Sequence, residues 1–156
     1  MSGERALTAR EIMTPDPVSA QPDIKVTEAA RIMLDHRVGA LPVLEGDKLV
    51  GIVTEGDLIA QDIQLEFPTY LHLLDGMVMY PPVSVHLQDK FERATAATVR
   101  DVMTSRPLTV GPDATVEDVA ELIIERDVGR VLVTEEDGRL LGIVSKSDIV
   151  RSLMTE

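Results

Sequence analysis

TAREIMTPDPVSA, residues 8–20, returns as TVRDVMTSRPLTV, residues 98–110. The match runs without a gap from residues 8–43 onto 98–133, at an offset of 90, with 12 of 36 positions identical. It resumes at an offset of 91, where Gly51, Ile52, Val53 and Asp57 answer Gly142, Ile143, Val144 and Asp148. The slip falls between LEGDKLV and TEEDGRLL, where Gly and Asp mark a hairpin turn that absorbs an extra residue at little cost. Self-similarity at a fixed period means one supersecondary unit built twice.

Each copy carries the same order of local signals. Thr8-x-x-Glu11 and Thr98-x-x-Asp101 predict capped short leading helices, within residues 5–12 and 94–102. Residues 17–20 and 107–110 read as short strands. A helix follows, with Val26, Ala29, Ala30, Met33 and Leu34 on one face, and Val116, Val119, Ala120, Ile123 and Ile124 repeating that spacing. Charged residues occupy the opposite faces, as expected of solvated surfaces. Val-, Leu- and Ile-rich runs predict strands near 40–44 and 48–54, and near 130–134 and 139–145. Last helices begin near 55 and 146. Gly39 and Gly129 are expected to permit tight helix-to-strand turns. The predicted fold class is α/β (α+β): β-α-β-β-α, twice.

Residues 60–97 have no repeat partner. They hold all four aromatics, Phe67, Tyr70, Tyr80 and Phe91, and are rich in Leu and Met. Such a composition is too apolar for a free linker. Helical pieces near 69–79 and 88–97 are expected, broken by Pro68, Pro81 and Pro82 and covering apolar surface at a core edge or subunit interface.

The chain has 156 residues and a net charge of −12. That charge repels a phosphate backbone and an anionic membrane, so neither is an expected partner. Cysteine is absent, which removes disulfides, thiol catalysis and thiolate metal sites. No apolar run approaches the ~20 residues that span a bilayer, and no signal peptide is recognised, so the expected location is cytoplasmic. His36, His72 and His86 lack ligand spacing, and no P-loop, dinucleotide fingerprint or nucleophile elbow is present. His36 fits a helix C-terminus.

Taken in order and twice over, IMTPDPVS and VMTSRPLT, HRVGALPV and RDVGRVLV, GIVTEGD and GIVSKSD resemble a tandem pair of cystathionine-β-synthase (CBS) domains, a Bateman module. The resemblance covers residues 8–61 and 98–153, with an insert at 62–97. It implies two pseudo-twofold-related units packed through their sheets, no catalysis and no required cofactor. It also implies clefts for adenosine-containing effectors: AMP, ADP, ATP, S-adenosylmethionine or a cyclic dinucleotide. A stand-alone pair would act on a regulated protein in trans, and such pairs commonly form flat homodimers. The alternative is a ligand-independent interaction scaffold.

Thr54-x-x-Asp57 and Ser145-x-x-Asp148 each sit where a strand passes into a helix. Unpaired N–H groups and the helix dipole favour a phosphate there, and a carboxylate suits two ribose hydroxyls. The same pattern is a helix capping box, and the two roles are compatible. As the resemblance implies, one cleft takes Ile143, Ser145, Lys146, Asp148 and Arg130 from the second copy with Thr14, Pro17, Val18, Ser19, Val38 and Gly39 from the first. The mirror cleft takes Ala40, Ile52, Thr54 and Asp57 with Thr104, Pro107, Leu108, Thr109, Val128 and Gly129. Arg130 and Lys146, where the mirror cleft has Ala40 and Glu55, predict that phosphate-bearing ligands prefer the Ser145 cleft.

Overall fold

The computed structural model describes residues 5–63 and 97–155. The first repeat comprises α1 (Ala9–Ile12), β1 (Thr14–Pro15), α2 (Val26–His36), β2 (Ala40–Glu45), β3 (Lys48–Thr54) and α3 (Glu55–Ile63). The second comprises α4 (Val99–Val102), β4 (Thr109–Val110), α5 (Val116–Arg126), β5 (Arg130–Thr134), β6 (Leu140–Ser145) and α6 (Lys146–Ser152). The expected insert helices at 69–79 and 88–97 fall almost wholly outside the described residues.

Local chemistry explains most of these elements. The hairpins turn on Gly46 (φ 62°) and Gly138 (φ 86°), in the left-handed region that glycine reaches without strain. Helices α2 and α5 each end on a left-handed residue, Arg37 (φ 54°) and Asp127 (φ 50°). The expected use of Gly39 and Gly129 there is corrected: the left-handed conformation falls two residues earlier, closing the helix through the Arg37 and Asp127 N–H groups. Val26, Ala29 and Met33 of α2 are buried, as are Val119 and Ile123 of α5. Leu34 and Ile124 are 78% exposed, against the expectation from periodicity. Each lies at the edge of its apolar stripe, next to the buried Met33 or Ile123.

The leading segments cross over. Helices α1 and α4 have four residues each, too few to persist alone. Each is fixed on the opposite repeat. The Ala9 and Arg10 N–H groups donate to Ala114 and Pro112 at 2.8 and 3.0 Å, and those of Val99 and Arg100 donate to Ile24 and Pro22 at 2.9 Å. First-turn N–H groups that have no intrahelical acceptor are thereby satisfied. Inside the helices, the Thr8 and Thr98 N–H groups donate to Glu11 and Asp101.

The strands follow the same exchange. The four-stranded sheet has the order β1-β6-β5-β4, so a first-repeat strand lies against β6 of the second. Thr14 registers on Ile143 and Pro15 on Gly142. The two-stranded sheet β2-β3 is met in the mirrored way by a single antiparallel bridge from Ile52 to Thr104. The predicted strand at 17–20 is reduced to one parallel bridge, Ala20 to Val43, while Thr109 and Val110 pair with Leu132 and Val133.

Two glycines make room for the crossing. A Cβ on Gly51 would stand 2.7 Å from both Met103 Sδ and the Thr104 carbonyl oxygen, and one on Gly142 would overlap Met13 Sδ and stand 2.7 Å from the Thr14 oxygen. The core divides accordingly. One cluster joins Ala29, Met33, Leu41, Val43 and Val53 to Val99 of the other repeat; its counterpart joins Val119, Ile123, Val131, Val133 and Val144 to Ala9. A third cluster, Ala40, Ile52 and Leu132, holds the two sheets together. The fold is thus an α/β pair of like units packed through their sheets.

Candidate functional site

Strand β3 runs directly into α3 at Thr54, and β6 into α6 at Ser145. Both junctions form the reciprocal box expected from sequence. The Thr54 N–H donates to Asp57 Oδ2 at 2.9 Å, and the Asp57 N–H donates to Thr54 Oγ1 at 3.2 Å. The Ser145 N–H donates to Asp148 Oδ2 at 2.8 Å, and the Asp148 N–H donates to Ser145 Oγ at 3.4 Å. The capping role of both aspartates is therefore real, and it uses one oxygen of each.

A cavity of about 270 Å³ opens beside the first box. Ile52, Thr54 and Asp57 form one wall, and Thr104, Pro107, Leu108, Val128 and Gly129 form the other. Eight of the ten residues assigned to this cleft from sequence thus converge on one space. Two do not. Ala40 is buried in the cluster between the sheets, and Thr109 lies in β4 along a neighbouring groove. The bridge between Ile52 and Thr104 fixes the two walls, with N–H to carbonyl distances of 3.0 and 2.9 Å in the two directions.

Arg106 and Arg130 complete the lining. The resemblance placed Arg130 in the other cleft, together with Gly39 of the first repeat. Its chain neighbours Val128 and Gly129 line this cavity, and Arg130 lines it with them. Its Nη1 also lies 3.4 Å from the Gly39 carbonyl oxygen of the first repeat. Arg106 was missed. The signal was present: TSRP in the second copy places Arg106 where TPDP in the first has Asp16. A cavity lined by apolar side chains, one carboxylate and two arginines suits a flat apolar ring, a diol and a phosphate.

The second junction is arranged differently. Thr14 meets Ile143 by strand pairing, while Val18 and Val38 pack against the first repeat's core and Pro17, Ser19 and Gly39 are half-buried. Lys146 is exposed, and its N–H donates to Gly129. Asp148 is only 8% exposed, and its Oδ1 accepts from Arg151 Nη1 at 3.0 Å. Ser145 Oγ lies 2.9 Å from Asp148 Oδ2, so the hydroxyl proton is also directed at the carboxylate.

A more voluminous groove, about 780 Å³, runs along β4 and the β5–β6 turn. Asp113, Glu135, Glu136 and Asp137 face it with one cation, Arg139. It is built from one repeat, and its charge repels a phosphate, so the smaller cavity is the candidate site.

Comparison with known proteins agrees with this geometry. The CBS domain family model matches residues 9–62 and 99–155. The uncharacterised Methanocaldococcus jannaschii protein MJ1426 is 28% identical over 145 residues, covering 88% of this chain and 86% of that protein. The inosine-5'-monophosphate dehydrogenase of Korarchaeum cryptofilum is 28% identical over 141 residues; the match covers 90% of this chain but only 23% of the enzyme. The crystal structure of Arabidopsis thaliana CBSX2 in complex with AMP has a TM-score of 0.72 and 28% identity, covering 95% of this chain and 96% of that one.

Proposed function

The chain belongs to the CBS-domain family, and we propose that it is a non-catalytic sensor that binds an adenosine-containing ligand between its repeats and signals occupancy to a partner protein. The observation that carries this reading is the cavity at Thr54 and Asp57. Its walls come from both repeats, so a ligand seated there changes how the two halves hold each other. Its volume is close to the lower end of the ~300–1,000 Å³ usual for small-molecule sites.

Each lining group has a role. Ile52, Leu108 and Val128 present apolar surface to adenine. Asp57 accepts hydrogen bonds from the ribose diol through the oxygen not used in its box. Arg106 and Arg130 face the phosphate, joined by the Thr54 hydroxyl. AMP is the ligand in the CBSX2 crystal structure, which makes it the first probe to use.

Calorimetry with AMP, ADP, ATP and S-adenosylmethionine tests the proposal, alongside thermal unfolding. A ligand at 100 times its Kd adds about 2.7 kcal/mol of stability. Asp57→Asn is expected to lose most of that gain while the protein stays folded. No response to any adenosyl ligand overturns the sensor and favours the interaction scaffold.

One observation supports association as well. Leu34 and Ile59 are exposed on the first repeat, and Ile124 and Val150 stand at the matching positions of the second. A pseudo-twofold pair of apolar patches suits a second copy of the chain, and we propose a homodimer through them. Light scattering at micromolar concentration is expected to give twice the 17.1 kDa chain mass. No helix among the described residues is long and apolar enough to cross a membrane.

A further inference from the structure

We infer that Arg151 closes the Ser145–Asp148 junction to a ribose, leaving the Thr54–Asp57 cavity as the high-affinity nucleotide site, the reverse of the preference expected from Arg130 and Lys146. This rests on the adenosyl-sensor reading above and concerns how the two pseudo-equivalent junctions divide that role.

The two carboxylates are held alike by their boxes and differently by everything else. Asp57 receives one side-chain hydrogen bond among the described residues, from the Thr54 N–H. Asp148 receives three: from the Ser145 N–H, the Ser145 hydroxyl and Arg151. A carboxylate is an acceptor that must have open lone pairs to bind a diol. Among the described residues, nothing donates to the second oxygen of Asp57, which lines a cavity. The Asp148 side chain is 10% exposed, and a guanidinium occupies its second oxygen.

The difference comes from one position in the helix. Arg151 stands three residues after Asp148, the spacing at which helix side chains meet. At the matching place after Asp57 the chain has Ala60, which cannot reach. The hydroxyls follow suit. Both hydroxyls accept from the aspartate N–H, but only Ser145, among the described residues, also donates to its carboxylate.

Charge deepens the division. The cavity at Thr54 has Arg106 and Arg130. The matching residues of the first repeat are Asp16 and Ala40, and Asp16 is tied beside β6 by its N–H to the Leu141 carbonyl at 3.2 Å. An anion in place of a guanidinium opposes a phosphate.

The arginine is a light latch. Its side chain is 70% exposed, and exposed ion pairs of this kind hold their partners within about fivefold. Arg151 therefore acts as a specificity-determining residue that a substitution removes without disturbing the core.

The test uses AMP calorimetry on the full chain and four variants. The wild-type chain is expected to bind one AMP tightly. Ala60→Arg, which copies the latch into the first junction, is expected to weaken that site by up to about fivefold. In an Asp57→Asn background, adding Arg151→Ala is expected to strengthen the remaining site by a similar factor, and Asp148→Asn is expected to remove it. Two equally tight AMP molecules per wild-type chain overturn the inference and leave the sensor reading intact. Weaker binding on Arg151→Ala overturns it too, because Arg151 would then contact the phosphate. No AMP binding by any protein overturns both. Circular dichroism confirms that each variant remains folded.

Discussion

Thr54-Glu55-Gly56-Asp57 and Ser145-Lys146-Ser147-Asp148 arose as copies, fold into the same capping box and present opposite surroundings. Beside the first, an aspartate that accepts one side-chain hydrogen bond among the described residues lines a cavity with two arginines. Beside the second, the equivalent aspartate is buried and fully engaged. The lesson is that a motif carries its own backbone geometry, while its chemistry depends on side chains that other segments deliver. Neither Arg106 nor Arg130 belongs to the repeat that supplies Thr54.

The comparison is most severely broken by removing what both junctions share. Leu132 is fully buried in the cluster between the sheets. Leu132→Ala is expected to cost about 2–5 kcal/mol in urea unfolding. It should impair the two junctions together, and a loss confined to one would show that they are mechanically independent.

Next come the two glycines under the crossing segments. Gly51→Ala and Gly142→Ala each force the other repeat's Met-Thr backbone away, at about 1–3 kcal/mol. Nearly equal losses are expected, since the contacts mirror each other. A tolerated substitution at one position would mean that the crossing there is dispensable.

The caps distinguish the junctions more finely. Ser145→Ala and Thr54→Ala are each expected to cost about 0.5–2 kcal/mol in thermal unfolding. Ser145→Ala should cost more, because its hydroxyl contacts the Asp148 carboxylate as well as accepting from the Asp148 N–H. The reverse order would contradict the hydroxyl assignment on which the unequal sites depend.

The surface ion pairs should matter least among these substitutions. Arg100 reaches Asp23 and Glu45 at 3.4 Å, and Arg10 reaches Glu135 at 3.8 Å, each pinning a leading segment on the opposite hairpin. Arg100→Ala and Arg10→Ala are expected to cost less than about 1 kcal/mol, with the difference vanishing in high salt.

A smaller effect still is expected at acid pH. The Thr8 N–H holds the Glu11 carboxyl below the usual carboxylate range, with Arg5 assisting. A depressed native value stabilises the fold above the unfolded value, and that contribution is lost as the pH falls through the native one. An NMR titration of Glu11 should show its midpoint lowered, and Glu11→Gln should remove the associated pH dependence.

Much of the architecture was legible because it is local. The boxes at Thr54 and Ser145, the hairpin glycines and the strands 40–45 and 130–134 each follow from a few adjacent residues. The convergence of Ile52, Thr54 and Asp57 with Pro107, Leu108, Val128 and Gly129 was legible only through the family resemblance. Arg106 was not singled out because nothing local to TSRP says that its side chain borders a cavity walled by the other repeat. Leu34 and Ile124 satisfied the helical period, but the period does not say which edge of the stripe is covered.

The sequence by itself determined the duplication, the element order, the two capped junctions and the charge that disfavours nucleic acid. Their causes lie in backbone propensities and in groups three or four residues apart. Tertiary structure alone decided that each leading helix crosses to the opposite repeat, that Ala40 is core, and that Arg106 borders a cavity walled by the other repeat while Asp148 is buried. Arg130 meets Gly39 across 91 positions of chain. No local preference encodes such a contact; it exists because Gly51 and Gly142 let the two backbones approach and because the buried Ala40–Ile52–Leu132 cluster fixes how the sheets face each other.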